Sequence, residues 1–319
     1  MPASLDEIGL TCQDLGLQSF DAPPVDFDPR SAPEEILKRF GVPARPTPET
    51  SIQYRHLWDR MFSDTVSFVS PRFKPRAVSR RVIRPALKII PPVFNNWVGL
   101  AIESEREPIQ AVYGMWTVPN LRAPPYVKDT VPCINSVWIG IDGFSPSEND
   151  ILQAGVDLRV MRQGGRSIVE ILPWWEWWRG ESWYFNNFSV SPGDSIACCI
   201  TCLRGGATGT VNMANLVTGD HIRLLAKAPS RTTLIGNCAE WIVERQTFNV
   251  DTDVLTELSH FGCVFLDQAF AATTISPPTN KETKPAGDGK QIMMTAIDKT
   301  TILADITILG PNAFRINRS

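Results

Sequence analysis

The sequence predicts an all-β protein in which a β-sandwich follows a helical and extended N-terminal extension. Three observations predict this fold class. From residue 95 onward, apolar residues recur with a period of two, which is typical of strands that bury one face. Glycine, proline and asparagine separate these short segments, as turns do in β-sandwiches. Residues 1–93 are instead rich in proline, so we expect the extension at 1–93 and the sandwich domain at 94–319.

Two short helices are predicted in the extension. The first covers residues 33–40, with a proline at its start and Gly41 directly after it. The second covers residues 49–62, where five large side chains share one helical face: Tyr54, Leu57, Trp58, Met61 and Phe62. Residues 72–88 then contain seven basic residues and no acidic one.

The clearest strands are predicted at residues 137–142, 151–160 and 239–245, where apolar and polar side chains alternate. Successive side chains of a strand point to opposite faces of its sheet. The following apolar positions are therefore expected to face the core: Val137, Ile139, Ile141, Leu152, Ala154, Val156, Leu158, Val160, Ala239, Trp241 and Val243. Further strands are predicted at 196–203, 208–215 and 301–309, and a surface loop at 277–290.

Composition and charge exclude several classes of protein. The formal net charge is −3 and no run of about 18 apolar residues occurs, so we expect neither nucleic-acid binding nor a membrane span. The N-terminus lacks a basic start followed by an apolar run, which favours an intracellular over a secreted protein. Cys198, Cys199 and Cys202 share one predicted strand, which favours buried free thiols over a metal site. We expect a monomer.

The polar faces of the predicted strands indicate where chemistry could occur. If the strands are neighbours, they form a groove lined by carboxylates and indoles: Trp138, Asp142, Gln153, Asp157, Trp174, Glu176, Glu240 and Glu244. Crowded carboxylates raise one another's pKa values, as a general acid or base requires. The alternative is that these faces simply meet water. The sequence lacks the histidine spacing of a zinc hydrolase, a nucleophile elbow and a phosphate loop, so no metal and no cofactor is expected.

Seven segments resemble the glutamic peptidases, or eqolisins. They occur in the order of that family: N-N-W-V-G (95–99), V-Y-G-M-W-T-V-P (112–119), S-V-W-I-G-I-D-G (136–143), I-L-Q-A-G-V-D (151–157), W-W-E-W-W (174–178), S-P-G-D-S-I (191–196) and A-E-W-I-V-E (239–244). The resemblance implies a concanavalin-like jelly-roll β-sandwich of two large antiparallel sheets. It also implies an endopeptidase that acts on polypeptide substrates.

The resemblance further implies a catalytic pair, Gln153 and Glu244, with Glu240 as the competing choice of base. Residues aligned with the substrate cleft of the family are Trp138, Asp142, Asp157, Trp174 and Glu176, and Glu240 is added from the same polar face. Leu172 stands where better-known members carry a cleft acid. With 31 Lys and Arg residues in this chain, we expect a milder acid optimum than theirs.

Two other functions fit the same pattern. Tryptophan platforms and paired carboxylates in a β-sandwich also suit a carbohydrate-cleaving or carbohydrate-binding jelly-roll protein. A non-catalytic binding module on the same fold is the second alternative.

The basic segment 72–88 has two interpretations. It is either a solvated linker or an inhibitory prosegment whose cations dock in the acidic groove immediately downstream. In the second case, protonation of the groove carboxylates would loosen the segment and couple activation to acidity.

Overall fold

The computed structural model describes residues 9–63, 66–76, 93–144, 150–178, 180, 182–203, 205–247 and 254–319. Within these ranges the two helices are α1 (Glu34–Arg39) and α2 (Ile52–Phe62), and Ala286–Asp288 form a 3-10 turn. The strands are β1 (Ser67–Val69), β2 (Phe73–Pro75), β3 (Val93–Phe94), β4 (Trp97–Glu103), β5 (Ala111–Thr117), β6 (Cys133–Ile141), β7 (Leu152–Gln163), β8 (Arg166–Trp177), β9 (Ser182–Phe185), β10 (Ser195–Cys202), β11 (Thr208–Asn215), β12 (Asp220–Lys227), β13 (Cys238–Arg245), β14 (Cys263–Ala272), β15 (Thr283–Pro285), β16 (Lys290–Thr295), β17 (Ile302–Gly310) and β18 (Ala313–Arg318).

The strands form the two layers of a β-sandwich. The first layer has the order β2-β9-β8-β7-β6-β13-β4-β16, and every pair in it is antiparallel. The second layer has the order β1-β12-β11-β10-β5-β14-β18-β17. Strand β16 also pairs with β17, so it joins the layers at one edge. The predicted β-sandwich is confirmed, and its jelly-roll connectivity stays a prediction.

The main core lies between the two layers. All eleven apolar positions assigned to the core faces of β6, β7 and β13 are buried in this single cluster. They pack with side chains from the second layer such as Cys198, Val211 and Leu224. Because side chains alternate along a strand, the opposite face of the first layer is left to the polar residues between them.

The extension covers the outer face of the second layer. Helix α2 begins after Ser51, whose hydroxyl accepts a hydrogen bond from Tyr54 N. The apolar face predicted for this helix is buried, and it packs on outward side chains of β5, β10 and β14, including Tyr113 and Phe270. Cys199 lies in this second cluster while Cys198 lies in the main core. The prediction of buried free thiols on alternating faces of one strand is confirmed.

The extension also adds one strand to each layer. Strand β1 pairs in parallel with β12, and β2 pairs antiparallel with β9 at the edge of the first layer. Phe73 of β2 is fully buried in the main core, and its backbone exchanges two hydrogen bonds of 2.8 Å with Leu10. The extension is therefore packed on the sandwich as far as residue 76. The division of the chain at residue 93 stays a prediction.

Neither described helix has the length and apolar character that crossing a membrane would require. Of the basic segment 72–88, residues 77–88 lie outside the described residues, and with them Arg80, Arg81, Arg84 and Lys88.

Candidate active site

Three parallel rows of side chains cross the outer face of the first layer, because β13, β6, β7, β8 and β9 are neighbours in register. The glutamine row contains Glu240, Gly140, Gln153, Glu176 and Ser182. The tryptophan row, two residues along each strand, contains Ile242, Trp138, Gly155, Trp174 and Tyr184. The aspartate row contains Glu244, Ser136, Asp157 and Leu172.

Gly155 makes the close packing of the tryptophan row possible. A Cβ placed on this residue would lie 2.6 Å from the Cβ of Trp138, closer than any real contact allows. Both indoles of the row, Trp138 and Trp174, are fully buried and belong to a small cluster with Phe94 and Trp97. The tryptophan row is thus tightly packed and lies between the other two rows.

Gln153 presents its amide to a carboxylate in the same row. Its Nε2 donates a hydrogen bond of 3.2 Å to Oε2 of Glu176, and the residue is 9% exposed. The carbonyl oxygen, Oε1, is buried and has no hydrogen-bond partner among the described residues. Because a side-chain amide carries two N–H groups, one remains available after the bond to Glu176.

Glu244 lies at the other side of the tryptophan row in a largely apolar environment. Its Oε2 accepts a hydrogen bond of 3.0 Å from Nε1 of Trp138, and its Oε1 accepts a longer one of 3.5 Å from Nδ2 of Asn96. Burial raises the pKa of Glu244 to about 7, against the opposing effects of the Trp97 indole and the positive charge of Arg76. A carboxyl group with such a pKa exchanges its proton near neutral pH.

Arg76, from the extension, enters the space between these residues. Its Nε and Nη2 donate hydrogen bonds of 3.0 and 2.7 Å to the two carboxylate oxygens of Asp157. Its Nη1 donates to Ser182 Oγ at 3.2 Å and lies 3.6 Å from Oε2 of Glu176. Although burial opposes its charge, the neighbouring Asp157 carboxylate raises the pKa of Arg76. The guanidinium therefore stays charged.

Asp157 is surrounded by donors in addition to Arg76. It also accepts hydrogen bonds from the hydroxyls of Tyr184, at 2.7 Å, and Ser136. The guanidinium carbon of Arg76 lies 3.8 Å from the centre of a Trp174 ring, a distance typical of a cation–π contact. Asp157, Trp174 and Glu176 thus share one cationic neighbour.

Asp142, which the resemblance aligns with the substrate cleft, has different contacts. Its carboxylate accepts hydrogen bonds of 2.6, 3.0 and 2.8 Å from the backbone N–H groups of residues 235–237. Its own φ is 64°, in the left-handed region, and burial raises the pKa of its carboxyl group. These contacts favour a structural role for Asp142, holding the loop that leads into β13.

Glu240 occupies the glutamine row beside Gly140 but is fully buried. Its Oε1 accepts a hydrogen bond of 3.1 Å from the thiol of Cys238 on the same strand. Glu240 is therefore less accessible than Glu244, its competitor for the role of base.

Contacts in the structure join the predicted site residues in two groups. Gln153, Asp157, Trp174 and Glu176 contact one another or Arg76, and Trp138 contacts Glu244. No hydrogen bond joins Gln153 directly to Glu244 among the residues described. Sequence reasoning missed Ser136, Ser182, Tyr184 and Asn96 as site residues. Docking of the basic segment in the groove was one of its two interpretations, but it had no signal to single out Arg76.

Within the described part of the chain, no group of three or more His, Cys, Asp or Glu side chains is placed to hold a metal ion. Four cysteines lie in the main core and Cys199 lies in the second cluster, whereas Cys238 contacts Glu240 of the glutamine row.

Comparisons with known proteins agree with the resemblance read from the seven segments. Residues 95–318 match the sequence model of the Peptidase A4 family. Aspergillopepsin-2 of Aspergillus niger is 28% identical over 225 residues, covering 65% of this chain and 76% of that protein. Scytalidopepsin B of Scytalidium lignicola is 25% identical over 197 residues, covering 58% and 69%. A structure of scytalido-glutamic peptidase with a transition state analog inhibitor has a TM-score of 0.57 at 20% identity, covering 70% of this chain and 98% of that one.

Proposed function

The chain belongs to the Peptidase A4 family and is a glutamic-type peptidase, and from this premise we propose that Gln153 and Glu244 form its catalytic pair. The single observation that carries this proposal is the environment of Glu244. Burial beside two indoles raises its pKa to about 7 on the sheet face that also presents the Gln153 amide. Membership of a peptidase family favours peptide over carbohydrate chemistry.

In the proposed mechanism, ionised Glu244 removes a proton from a water molecule that attacks the scissile carbonyl carbon. Trp138 Nε1 holds one carboxylate oxygen by a hydrogen bond. The other oxygen accepts a long hydrogen bond from Asn96 and has a second lone pair for the water. When the tetrahedral species collapses, protonated Glu244 gives its proton to the departing amine. The peptide bond breaks without a covalent enzyme intermediate.

Gln153 stabilises the negative charge that develops on the carbonyl oxygen. One N–H of its amide donates to Glu176, which fixes the amide plane and leaves the second N–H for the oxyanion. An amide suits this role because it donates without ionising, whereas a carboxylate at position 153 would repel the oxyanion. Glu176 is then a positioning residue for Gln153.

The remaining residues of the rows are proposed to bind the substrate. Trp174 offers an aromatic face, and Asp157 and Glu176 offer charge to polar side chains of the polypeptide. Substrate binding by Asp142 and Glu240 has less support, because both carboxylates already accept hydrogen bonds within the protein.

An acidic pH optimum is part of the proposal. With a pKa of about 7, Glu244 as described is mostly protonated at mildly acidic pH and could not act as a base there. Exposure to water on opening of the site would lower this pKa, because burial is its largest cause. We therefore expect the pH optimum to be set by the lower pKa that Glu244 has when the site is open and hydrated.

The test is digestion of a denatured protein substrate by purified full-length protein between pH 3 and pH 7. Gln153→Ala should lower the rate by about 10²–10³, as removal of one oxyanion donor typically does. Glu244→Ala should lower it at least as much, with the fold intact by circular dichroism. Activity should persist with EDTA, with serine and cysteine reagents, and with pepstatin.

Wild-type turnover in both variants would sink the proposed pair. Inhibition by EDTA that zinc restores would point to a different mechanism altogether.

A further inference from the structure

Arg76 occupies a complete binding site for a guanidinium group. This guanidinium pocket is formed by Ser136, Asp157, Trp174, Glu176 and Ser182. Asp157 takes two hydrogen bonds side by side, and each serine hydroxyl accepts one more at 3.2 Å. Trp174 covers one face of the group, and Glu176 adds a second negative charge. Paired hydrogen bonds to a carboxylate and stacking on an indole are what a planar guanidinium requires.

The burial of this contact shows that it is more than a surface ion pair. The side chains of Arg76 and Asp157 are 2% and 0% exposed, and that of Glu176 is 1% exposed. The guanidinium covers one face of a Trp174 ring and lies against the Glu176 carboxylate. Both residues are among those proposed above to bind the polypeptide substrate.

The occupant of the pocket comes from outside the part of the chain that resembles known peptidases. The family match begins at residue 95, and 70% of this chain covers 98% of the solved peptidase chain. Arg76 therefore lies outside the part of the chain that matches the family.

The extension presents Arg76 from a fixed strand. Strand β2 pairs with β9 and ends at Pro75, and the backbone N–H of Arg76 then donates to Ser182 O at 2.8 Å. An extended segment added to a sheet edge, with one side chain in a pocket, is also how many peptide ligands bind. Phe73 anchors the strand in the core, so the Arg76 side chain can leave while β2 stays in place.

We infer that the guanidinium pocket is a binding site for an arginine side chain, that Arg76 fills it in cis, and that this contact closes the site to substrate. The inference rests on the proposed function, because it takes the pocket to be part of the substrate site. Of the two interpretations of the basic segment, it takes the inhibitory one and assigns the contact to a single residue.

Several titratable groups face Arg76: Asp157 on β7, Glu176 on β8, Tyr184 on β9 and Glu244 on β13. Burial opposes the charge of Arg76, but the Asp157 carboxylate raises its pKa. The guanidinium therefore stays a cation in the pocket.

The first experiment compares full-length wild-type protein with Arg76→Met in peptide hydrolysis at pH 6. If only the open form binds substrate, the apparent KM is the intrinsic KM divided by the open fraction. We expect Arg76→Met to lower KM by at least about tenfold. Because the positive charge of Arg76 lowers the pKa of Glu244, kcat is compared at the pH optimum of each protein, where it should be nearly unchanged. Lys74→Met is the matched control, since Lys74 lies on the same strand and has no ion pair to a described carboxylate. Its KM should equal that of the wild type.

The second experiment probes the emptied pocket with L-argininamide. It should inhibit Arg76→Met competitively and raise the Tm of that variant, while leaving the wild type unaffected because Arg76 already fills the pocket. Adding Asp157→Asn to Arg76→Met should abolish both effects. The Tm shift needs no peptidase activity, so a variant that is stabilised but inactive would count against the proposed function and not against the pocket.

Three results would overturn the inference. If Arg76→Met lowers kcat and argininamide restores it, Arg76 is a permanent part of the working site rather than its closure. If argininamide neither inhibits nor stabilises the variant, the pocket is not a binding site.

Should Arg76→Met fail to fold, Arg76→Lys is the second variant to test, because it keeps the charge but loses the paired hydrogen bonds. It should lower KM less than tenfold but measurably, and an unchanged KM would contradict closure.

Discussion

Asp157 of β7 and Glu244 of β13 lie on either side of Ser136 of β6, the strand between them. The groups that contact the two carboxylates nevertheless differ. Asp157 accepts two hydrogen bonds from Arg76 and others from two hydroxyls. Glu244 accepts one from an indole and a long one from an amide. Both lie in the same row of one sheet, about two strand spacings, or roughly 10 Å, apart.

The difference shows that the partner, and not burial alone, decides what a buried carboxyl group can do. Asp157 is matched by a cation, so its charge is held in place. No cation contacts Glu244 among the residues that the structure describes, and burial raises the pKa of Glu244 to about 7. Two carboxyl groups in unlike environments allow one to bind a cation and the other to exchange protons.

Removing Asp157 should produce the largest loss of stability. Asp157→Ala leaves the Arg76 guanidinium buried without its main partner, which typically costs about 3–5 kcal/mol. Urea denaturation at pH 7 measures this cost. The exposed ion pair of Asp129 with Arg162, at 3.3 Å, provides the control, and Asp129→Ala should cost less than about 1 kcal/mol. Equal effects of the two substitutions would refute the contrast between buried and exposed pairs.

Asp142 extends the comparison to a carboxylate whose partners are backbone N–H groups. Asp142→Ala removes the acceptor of three hydrogen bonds and places alanine at a φ of 64°. We expect a loss of about 1–3 kcal/mol in the free energy of unfolding, with KM for peptides nearly unchanged. A large rise in KM without loss of stability would instead make Asp142 a substrate-binding residue.

Glu244 should produce a smaller, pH-dependent effect on stability. Its pKa is about 7 in the folded protein against 4.5 as the ordinary value, so folding favours the protonated form. The contribution of protonated Glu244 to the free energy of unfolding is fully present below pH 4.5 and is lost as the pH rises through 7. Glu244→Gln should remove this loss and stabilise the protein above pH 7 by about 1–2 kcal/mol, because partial exposure reduces the full effect. Identical pH dependence in both proteins would show that Glu244 has an ordinary pKa.

Much of the site could be predicted because strand periodicity decides which face a side chain occupies. The alternation in β7 places Gln153 and Asp157 opposite Leu152 and Val156, and no distant contact is needed to know it. The face of α2 follows in the same way from helical spacing.

The rest depends on contacts between segments far apart in the sequence. Periodicity cannot reveal that Asp142 meets the loop at 235–237 or that Arg76 reaches Asp157, because those pairs form only once the layers assemble. Contacts between distant segments also decide the structure of residues 277–290, which the sequence predicts as a loop. There β15 is short and polar, and its strand character comes from pairing with β14.

The most direct test of the catalytic pair is an isosteric comparison of the two candidate bases. Glu244→Gln and Glu240→Gln each remove one carboxylate with little change in volume, and kcat/KM for one peptide should be measured in both, in the wild-type and Arg76→Met backgrounds. We expect Glu244→Gln to lower kcat/KM by at least about 10³, since it removes the only base, and Glu240→Gln to stay within about tenfold of its parent. A Glu244→Gln protein that hydrolyses peptide at the parental rate, beside an inactive Glu240→Gln, would contradict the assignment of Glu244 as the base.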